Sequence, residues 1–501
     1  GAQKNAEEVR AFRSRLNGYT KAYHEQLVAE NLPSISALGY TDITHIGYTP
    51  CVVIKIPADQ LNTEDLCALV ANENVACVCL SEELVAVDEE YTVSDTEVAS
   101  ETSTATWEEA LEAVGADEIV ASGELTGEGV RIGVLETGIC NVSAFDQVTI
   151  NPAYSSYGVT SHANKVVSIV STIAPEADIF VSVTDEIGIQ WFIDQNCDVV
   201  NCSFGYSTGS NNSQYQYRFD VDGIYDYQTE TGTVSVVKSA GNNGQDGGQI
   251  TSPGYAYNLI TVGGMRKNGL NWIRNESSSF VNDDATDSDA VVPSVKPNVV
   301  APGRYILPGF GEINGTSFAA PLVTGCIALY LEENPSHRDH AELIHSLIHS
   351  TAQKTYSYNA TVGAFDNEVG AGMINLEAML AYSDSYYRFN NTRYGTGTVF
   401  YTNDFYVYSG DEIDIALSWF ADTPVPVDGS VSEVYLTEYN IYLINTVVNV
   451  VMASSTITDS NVQLIRYTPE LSGTYCIEVR QVTAKNYNNA SDMLSLTYHT
   501  T

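Results

Sequence analysis

Basic residues are scarce in this chain of 501 residues. It has 22 Lys and Arg against 63 Asp and Glu, which gives a net charge of −41. A field of this sign repels phosphate backbones and anionic lipid headgroups. We therefore expect no nucleic-acid partner.

Long apolar runs are also missing. The richest stretch, residues 319–331, is interrupted by Pro321, Thr324 and Gly325, whereas a membrane span needs roughly 18 uninterrupted apolar residues. We therefore expect no membrane span. Hydrophobic residues still make up 44% of the chain and charged residues only 17%, so there is enough apolar material for packed cores.

Cysteine does not dictate a disulfide framework. There are nine cysteines, an odd number, so at least one is unpaired. Most lie beside apolar residues, and we interpret them as small buried hydrophobic side chains, with a disulfide framework as the alternative. Abundant Tyr, Asn, Ser and Thr with little Lys is typical of secreted bacterial surface enzymes. This composition predicts a secreted or cell-surface-associated bacterial protein.

The first part of the chain, residues 1–92, is predicted to be a small α+β domain. Apolar residues with helical spacing are followed by a strand at residues 51–56, then by a second helix and a second strand. The helical positions are Val9, Phe12, Leu16, Tyr23 and Leu27 in the first helix and Leu66, Leu69 and Val70 in the second, and the second strand is residues 75–80. Residues 93–106 lack an apolar period and are predicted to be an exposed linker.

Two further domains follow the linker. In residues 107–383, β-rich apolar segments alternate with helical ones, which predicts an α/β domain with a mainly parallel sheet. In residues 384–501 the pattern changes to short alternating strands with Tyr and with Gly, Asn and Asp turns. That pattern predicts a C-terminal β-sandwich.

The strongest chemical signal is Asn-Gly-Thr-Ser-Phe-Ala-Ala-Pro at residues 314–321, which leads into an apolar helix. A serine at a helix start has its Oγ near unpaired backbone N–H groups and the positive end of the helix dipole, where a developing oxyanion is favoured. Taken alone, the motif favours a plainer interpretation, in which Thr316 or Ser317 only caps the helix.

Five other segments change that balance. They are Gly-Glu-Gly-Val-Arg-Ile-Gly-Val-Leu-Glu-Thr-Gly-Ile at 127–139, Ser-His-Ala-Asn-Lys-Val-Val-Ser-Ile-Val at 161–170, Asn-Cys-Ser-Phe-Gly at 201–205, Ser-Ala-Gly-Asn-Asn-Gly at 239–244 and Lys-Pro-Asn-Val-Val-Ala-Pro-Gly at 296–303. With these motifs, residues 107–382 resemble the subtilisin-like serine proteases, and acid, histidine and serine follow in the family's order. The resemblance implies a three-layer α/β domain.

The resemblance also implies roles for single residues. Ser317 would attack the scissile carbonyl, His162 would move the proton, and Glu136 would orient the imidazole. The side chain of Asn242 and the N–H of Ser317 would bind the oxyanion. An extended protein or peptide substrate would pair with Ser203, Phe204 and Gly205 and lie against Ser239, Ala240 and Gly241. No cofactor and no metal is required for this chemistry.

Two departures from the family pattern weaken the expected activity. Glu136 stands where the family has Asp, and Ala163-Asn164 stand where it has Gly-Thr. A carboxylate displaced by about 1 Å can cost about 100-fold in rate. The alternative is a pseudoprotease that uses its cleft for binding or regulation. Because Ser317, His162 and Asn242 are all present, we favour the enzyme.

Residues 42–88 loosely resemble the propeptide that precedes such catalytic domains and plugs their cleft. If the resemblance holds, the propeptide is a partner in cis and the maturation site lies between Asp88 and Thr106. The C-terminal domain is similar to the sandwich modules appended to many secreted relatives, whose roles are stabilisation or targeting.

Two weaker signals concern metals. His337, His340, His345 and His349 crowd one helical segment, and the last two have a spacing that can share a metal. We favour a surface helix without a metal. The acidic run at residues 282–289 is a candidate structural calcium site because family members often bind calcium, but a solvated loop is the interpretation we favour.

Overall fold

The computed structural model describes residues 2–37, 39–40, 42–49, 51–56, 67–69, 71, 85–88, 104–185, 187–207, 221–246, 249–281, 293–392, 395–422, 436–483 and 491–501. Three expectations fall wholly or mostly outside these residues: the linker at 93–106, the strand at 75–80 and the acidic run at 282–289. Only residues 67–69 of the expected second helix are described, and they are helical.

Where the N-terminal part is described, it contains one long helix and three short strands besides the helical residues 67–69. The helix α1 spans Ala2–Ser36, β1 (Ile43–His45) pairs antiparallel with β2 (Val52–Ile54), and β3 is Val85–Asp88. The expected helix is confirmed, but its orientation is the reverse of what the apolar spacing indicates. Phe12 is 57% exposed and Leu16 is 43% exposed, whereas the buried side chains in the same part of the helix are Arg13, Asn17 and His24.

A sheet of eight strands forms the centre of the protein, in the order β11-β10-β9-β7-β4-β6-β5 with β12 paired to β10. All its pairs are parallel except β10 with β11. The strands are β4 (Arg131–Glu136), β5 (Val148–Ile150), β6 (Asp178–Val183), β7 (Val199–Cys202), β9 (Ser235–Ser239), β10 (Ile260–Asn268), β11 (Asn271–Arg274) and β12 (Val299–Pro302). The expected α/β class is confirmed.

Helices cover both faces of this sheet because alternate strand residues point to opposite sides. The helices are α2 (Trp107–Ala113), α3 (Asp117–Ser122), α4 (Ser161–Ile173), α5 (Gln190–Asp194), α6 (Asp222–Gly232), α7 (Thr316–Glu333), α8 (Ala341–Thr351) and α9 (Leu376–Ala381). Val134 and Val199 belong to the core beneath α4 and α7, whereas Leu135 and Val200 belong to a second core beneath α5 and α6. Three layers result, as expected.

Two further pairs of short strands flank the active-site motifs. The strand β8 (Phe204–Ser207) follows β7 after one residue and pairs with β3, and β13 (Arg304–Leu307) forms a hairpin with β14 (Gly311–Asn314) directly before α7.

The C-terminal part contains two antiparallel sheets, in agreement with the expected sandwich. One has the order β15-β23-β18-β21, and the other has the order β16-β22-β19-β20 with β17 on β22. Inward residues of both sheets, such as Trp419 and Tyr439, share one core. The strands are β15 (Tyr386–Thr392), β16 (Gly397–Tyr401), β17 (Phe405–Val407), β18 (Ile413–Trp419), β19 (Tyr439–Asn445), β20 (Val450–Ser455), β21 (Val462–Tyr467), β22 (Gly473–Gln481) and β23 (Ser491–Thr500).

The histidine-rich segment is not at the surface, so our expectation of a surface helix is wrong. Every residue of α8 is buried, because the helix packs against β18 and β23 of the C-terminal part. Both ring nitrogens of His349 are in hydrogen-bonding contacts: Nδ1 lies 2.6 Å from the carbonyl of His345, and Nε2 lies 3.4 Å from Nδ2 of Asn298. A metal would have to displace these contacts.

Cysteines among the described residues are not paired with one another. Five of them are buried, as expected for small hydrophobic side chains, namely Cys140, Cys197, Cys202, Cys326 and Cys476, whereas Cys51 and Cys67 are exposed. In the same described part of the chain, no helix has the length and apolar character needed to cross a membrane.

Candidate active site

Three strands of the parallel sheet bring predicted site residues to one edge. Glu136 is the last residue of β4, Ser203 directly follows β7, and Ser239 is the last residue of β9. Since β4, β7 and β9 are adjacent and parallel, their carboxyl ends meet at this edge, which is where ligands bind in open α/β sheets. The structure therefore places Glu136, Ser203 and Ser239 together at one edge of the sheet.

The carboxylate of Glu136 contacts the imidazole of His162. Oε2 of Glu136 lies 2.8 Å from Nδ1 of His162, and both side chains are buried. His162 is the second residue of α4, whose first turn is capped by the Oγ1 of Thr160, which accepts from the N–H of Ala163 at 3.1 Å. Because an ionised carboxylate only accepts hydrogen bonds, this contact assigns the proton to Nδ1 and directs Nε2 away from Glu136.

The loop after β4 is tied to the residues before and inside α4. The N–H of Ile139 donates to Gly158 O, the N–H of Thr160 donates to Ile139 O, and the N–H of Asn141 donates to Oδ1 of Asn164 at 2.7 Å. Asn164 is one of the two residues that depart from the family pattern. Its side chain therefore joins two segments that carry Glu136 and His162, and the Nδ1 contact of His162 is present with this residue in place.

Ser317 is the second residue of the long helix α7 and is held against the residue that follows β7. It is fully buried, its Oγ donates to Ser203 O at 3.2 Å, and the Oγ of Ser203 donates to Ser317 O at 2.9 Å. The next residue, Phe318, has its ring centroid 5.5 Å from that of His162. The residue after Ser317 thus packs against His162, whose Nδ1 contacts Glu136.

Pro321 explains why the carbonyl of Ser317 can accept from Ser203. In an α-helix this carbonyl would accept the N–H of the residue four positions later, but that residue is Pro321 and has no N–H. The Oγ of Ser203 supplies the missing donor, and Nδ2 of Asn201 in turn donates to the Oγ of Ser203 at 2.9 Å. Our sequence analysis missed this role, for which the spacing of Ser317 and Pro321 was the available signal.

Asn242 is oriented by the first residue of the helix. Its Oδ1 accepts from the N–H of Thr316 at 3.0 Å and lies 3.3 Å from the Oγ1 of the same residue. Since the carbonyl oxygen faces Thr316, the amide nitrogen points to the opposite side. Thr316 is a second residue that the sequence analysis did not assign to the site.

The segment Ser239, Ala240 and Gly241 has its polar groups engaged within the protein. The Oγ of Ser239 donates to Cys202 O at 3.2 Å, and the N–H of Ala240 donates to Val262 O. The N–H of Gly241 donates to the Oγ1 of Thr316 at 3.1 Å. Gly241 has φ +108°, and a Cβ there would lie 2.9 Å from the Thr251 side chain, so this turn requires glycine. The role of Ser239, Ala240 and Gly241 in binding substrate stays a prediction.

The predicted substrate strand already has a partner from the same chain. In β8, Phe204 is opposite Asp88 of β3 and Gly205 is opposite Val87, in an antiparallel register that continues to Ser207 and Val85. The strand β3 therefore runs toward Ser203 and Ser317.

Comparison with known proteins is consistent with this geometry. Residues 127–372 match the model of the subtilase family. Subtilisin E of Bacillus subtilis (strain 168) is 27% identical over 281 residues, which cover 50% of this chain and 66% of that protein. Subtilisin DY of Bacillus licheniformis is 26% identical over 294 residues, which cover 53% and 95% of the two chains.

The crystal structure of fervidolysin from Fervidobacterium pennivorans aligns with a TM-score of 0.43 and 20% identity, over 79% of this chain and 60% of that chain. The chain thus spans just under two thirds of the length of subtilisin E and of fervidolysin. Residues 127–372, which hold Glu136, His162, Asn242 and Ser317, form a domain of the subtilase family.

Proposed function

We propose that this protein is a serine endopeptidase that cuts protein or peptide substrates through an acyl-enzyme. The observation that carries the proposal is the 2.8 Å contact between Glu136 and Nδ1 of His162, made beside the helix start that holds Ser317. Ser317 attacks the carbonyl, and Nε2 of His162 takes its proton and returns it to the leaving amine. Glu136 stabilises the imidazolium that forms.

Asn242 and the N–H of Ser317 complete the proposed site. The Nδ2 amide of Asn242, oriented by the Thr316 N–H, and the N–H of Ser317 at the helix start donate to the oxyanion of the tetrahedral intermediate. Every step uses side chains and backbone of this chain, so the proposal requires no cofactor. Calcium would have a structural role only.

We also propose that the protein is made as a zymogen. The strand β3 occupies the edge of β8 in the manner of an extended substrate, and it ends next to the residue whose carbonyl accepts from Ser317. This arrangement supports a maturation cut soon after Asp88, within the interval predicted from the sequence. The abundance of Tyr, Asn, Ser and Thr with little Lys, together with the likeness to bacterial subtilisins, supports secretion as the working location.

A fluorophosphonate probe tests the proposed chemistry, because it reacts with a serine only when a base and an oxyanion site activate it. We expect stoichiometric labelling of protein whose linker has been cut and whose cleft is open, and no labelling of the Ser317→Ala variant. Absence of labelling in the folded, open protein would contradict the enzyme and favour a pseudoprotease that uses the cleft for binding.

A further inference from the structure

The helix α1 binds the catalytic domain at the edge of the sheet opposite to the active site. Asp198 directly precedes β7 and Ser203 directly follows it. The two ends of one parallel strand lie at opposite edges of the sheet, so a contact at Asp198 is remote from Ser317 and independent of the cleft.

Two arginines of α1 are inserted at this opposite edge. Nη2 of Arg13 donates to Asp198 Oδ1 at 2.8 Å and to Asn196 O at 2.6 Å. Nη2 of Arg10 donates to Asp198 Oδ2 at 3.1 Å and to Gly129 O. Asp198 is fully buried and the Arg13 side chain is 1% exposed. The helix therefore contributes buried charged side chains to the catalytic domain.

The helix α1 supplies two of the three arginines that compensate the buried charge of Asp198. Burial alone would raise the pKa of this carboxyl, but Arg13, Arg338 and Arg10 together lower it below its ordinary value. The catalytic domain itself contributes Arg338, whose Nη1 lies 3.7 Å from Oδ2 of Asp198, and the backbone N–H of Arg131, which donates to the same oxygen at 2.9 Å. Removing one side of a buried ion pair is strongly unfavourable, so dissociation of α1 is opposed.

A second anchor lies in the hairpin loop between β1 and β2. Tyr48 is 2% exposed and belongs to the core formed by Leu135, Phe192 and Ile193 beneath α5. Its hydroxyl donates to Asp194 Oδ1 at 2.8 Å. The neighbouring N–H of Gly47 donates to Oε1 of Gln190 at 2.8 Å. The loop thus completes an apolar core of the catalytic domain.

We propose that residues 10–48 are a permanent light chain of the enzyme, which stays bound by its buried arginine and tyrosine anchors after the chain has been cut in the linker. Only β3 has to leave the cleft. A single cut after Asp88 then leaves β3 tethered to the bound light chain at a high effective concentration near β8. A second cut between Tyr48 and Val85 releases it.

The binding claim is tested in the full-length Ser317→Ala protein with a recognition sequence for a site-specific protease in place of residues 96–102. After cutting, size-exclusion chromatography at micromolar concentration and 0.15 M salt is expected to show both fragments eluting together. Arg13→Gln is expected to weaken the association by about 100-fold or more. Separation of the unsubstituted fragments under these conditions would overturn the proposal.

Lys21→Gln is the matched control, because it removes the same charge from the same helix. Nζ of Lys21 contacts Asp194 at 2.8 Å, but the pair is 28% and 31% exposed, so we expect less than about a fivefold change. If Arg13→Gln does not yield folded protein, Arg10→Gln is used, since Arg10 is 15% exposed, and an intermediate weakening is expected. Equal behaviour of the arginine and lysine variants would overturn the anchor assignment.

The consequence for the cleft rests on the proposed function and has its own readout. In protein with an intact Ser317, cutting only the linker is expected to leave fluorophosphonate labelling slow. Cutting also at a recognition sequence placed within residues 58–64 is expected to raise the labelling rate at least tenfold. If the single cut already gives the full labelling rate, the claim that the bound light chain keeps β3 in the cleft is wrong. No labelling after both cuts would contradict the endopeptidase but would leave the binding result unchanged.

Discussion

Glu136 and His162 meet through Oε2 and Nδ1 at 2.8 Å, although residue 136 is one methylene longer than the family's aspartate. The loop that follows Glu136 packs closely against the residues that precede His162. Gly138, two residues after Glu136, lies against Thr160 so tightly that a Cβ there would be 2.4 Å from its Cγ2. The loop after β4 and the residues that begin α4 therefore pack closely against each other. With the backbone in this position, the length of the glutamate side chain places its carboxylate in contact with His162.

The fit predicts an unusual response to substitution at residue 136. Glu136→Asp restores the family's residue, but it withdraws the carboxylate by one methylene from an imidazole positioned for Glu. We expect the labelling rate at Ser317 to fall by about 10-fold to 100-fold. Glu136→Gln keeps the length and loses the charge, and its loss is expected to approach about 10⁴-fold. A faster Asp variant would show that the glutamate is a defect of the site.

Asn242 is expected to act on the transition state more than on binding. Asn242→Ala removes the proposed oxyanion donor, which costs about 2.7 to 4 kcal/mol in related proteases. Steady-state kinetics on a peptide substrate should show kcat lowered by about 10² to 10³ with KM little changed. Loss of binding with an unchanged kcat would assign Asn242 to substrate positioning instead.

Pro321→Ala separates stability from activity. Alanine restores an N–H four residues after Ser317, which competes with the Oγ of Ser203 for the carbonyl of Ser317. We expect an unchanged or higher Tm, because alanine suits a helix interior. The rate of fluorophosphonate labelling should fall by about tenfold or less, because the change removes one hydrogen bond. A lower Tm with an unchanged labelling rate would contradict this role.

His349 makes stability depend on pH. Burial lowers its pKa to about 4, whereas in the unfolded chain its pKa is about 6.5. Between these values the unfolded chain binds more protons, so stability is lost as pH falls from about 6.5 toward 4. Protonation of Nε2 would also set an N–H against Nδ2 of Asn298.

The measurement for His349 is urea unfolding at pH 7 and pH 5, for the parent and for His349→Gln in the Ser317→Ala background. The loss of unfolding free energy between the two pH values should be smaller in the glutamine variant by about 2 kcal/mol. Using the difference between variants cancels the contributions of other groups, including Asp414, whose pKa is raised to about 6. Equal losses in both proteins would contradict a neutral buried His349.

Local motifs predicted the site better than periodicity predicted the surfaces. The order of Glu136, His162 and Ser317 was readable because short motifs fix which residues end strands and begin helices. In α1 the apolar spacing of Phe12 and Leu16 indicated the wrong face. The buried face of α1 is the one that contacts Asp198, which lies 185 residues after Arg13 in the chain. A local sequence pattern cannot predict a contact over that separation.

The histidines of α8 were misjudged for a related reason. A surface helix without a metal was the interpretation favoured from the sequence, but β18 and β23 cover α8, and those strands follow later in the chain. The sequence analysis predicted a substrate contact at Ser203 to Gly205 and a propeptide-like segment at residues 42–88 that plugs the cleft, but not the register in which β3 pairs with β8. Which segment of the chain takes that position depends on long-range geometry, as do the contacts of Thr316 and Pro321.

The central claim is that Ser317, activated by His162 and Glu136, cuts a chain that enters along β8. The most direct test is intact-mass analysis of the purified full-length protein held at neutral pH, beside its Ser317→Ala variant. The account predicts a cut within a few residues after Asp88 in the parent and none in the variant. The same cut in both proteins, or a cut in the parent far from the end of β3, would contradict it.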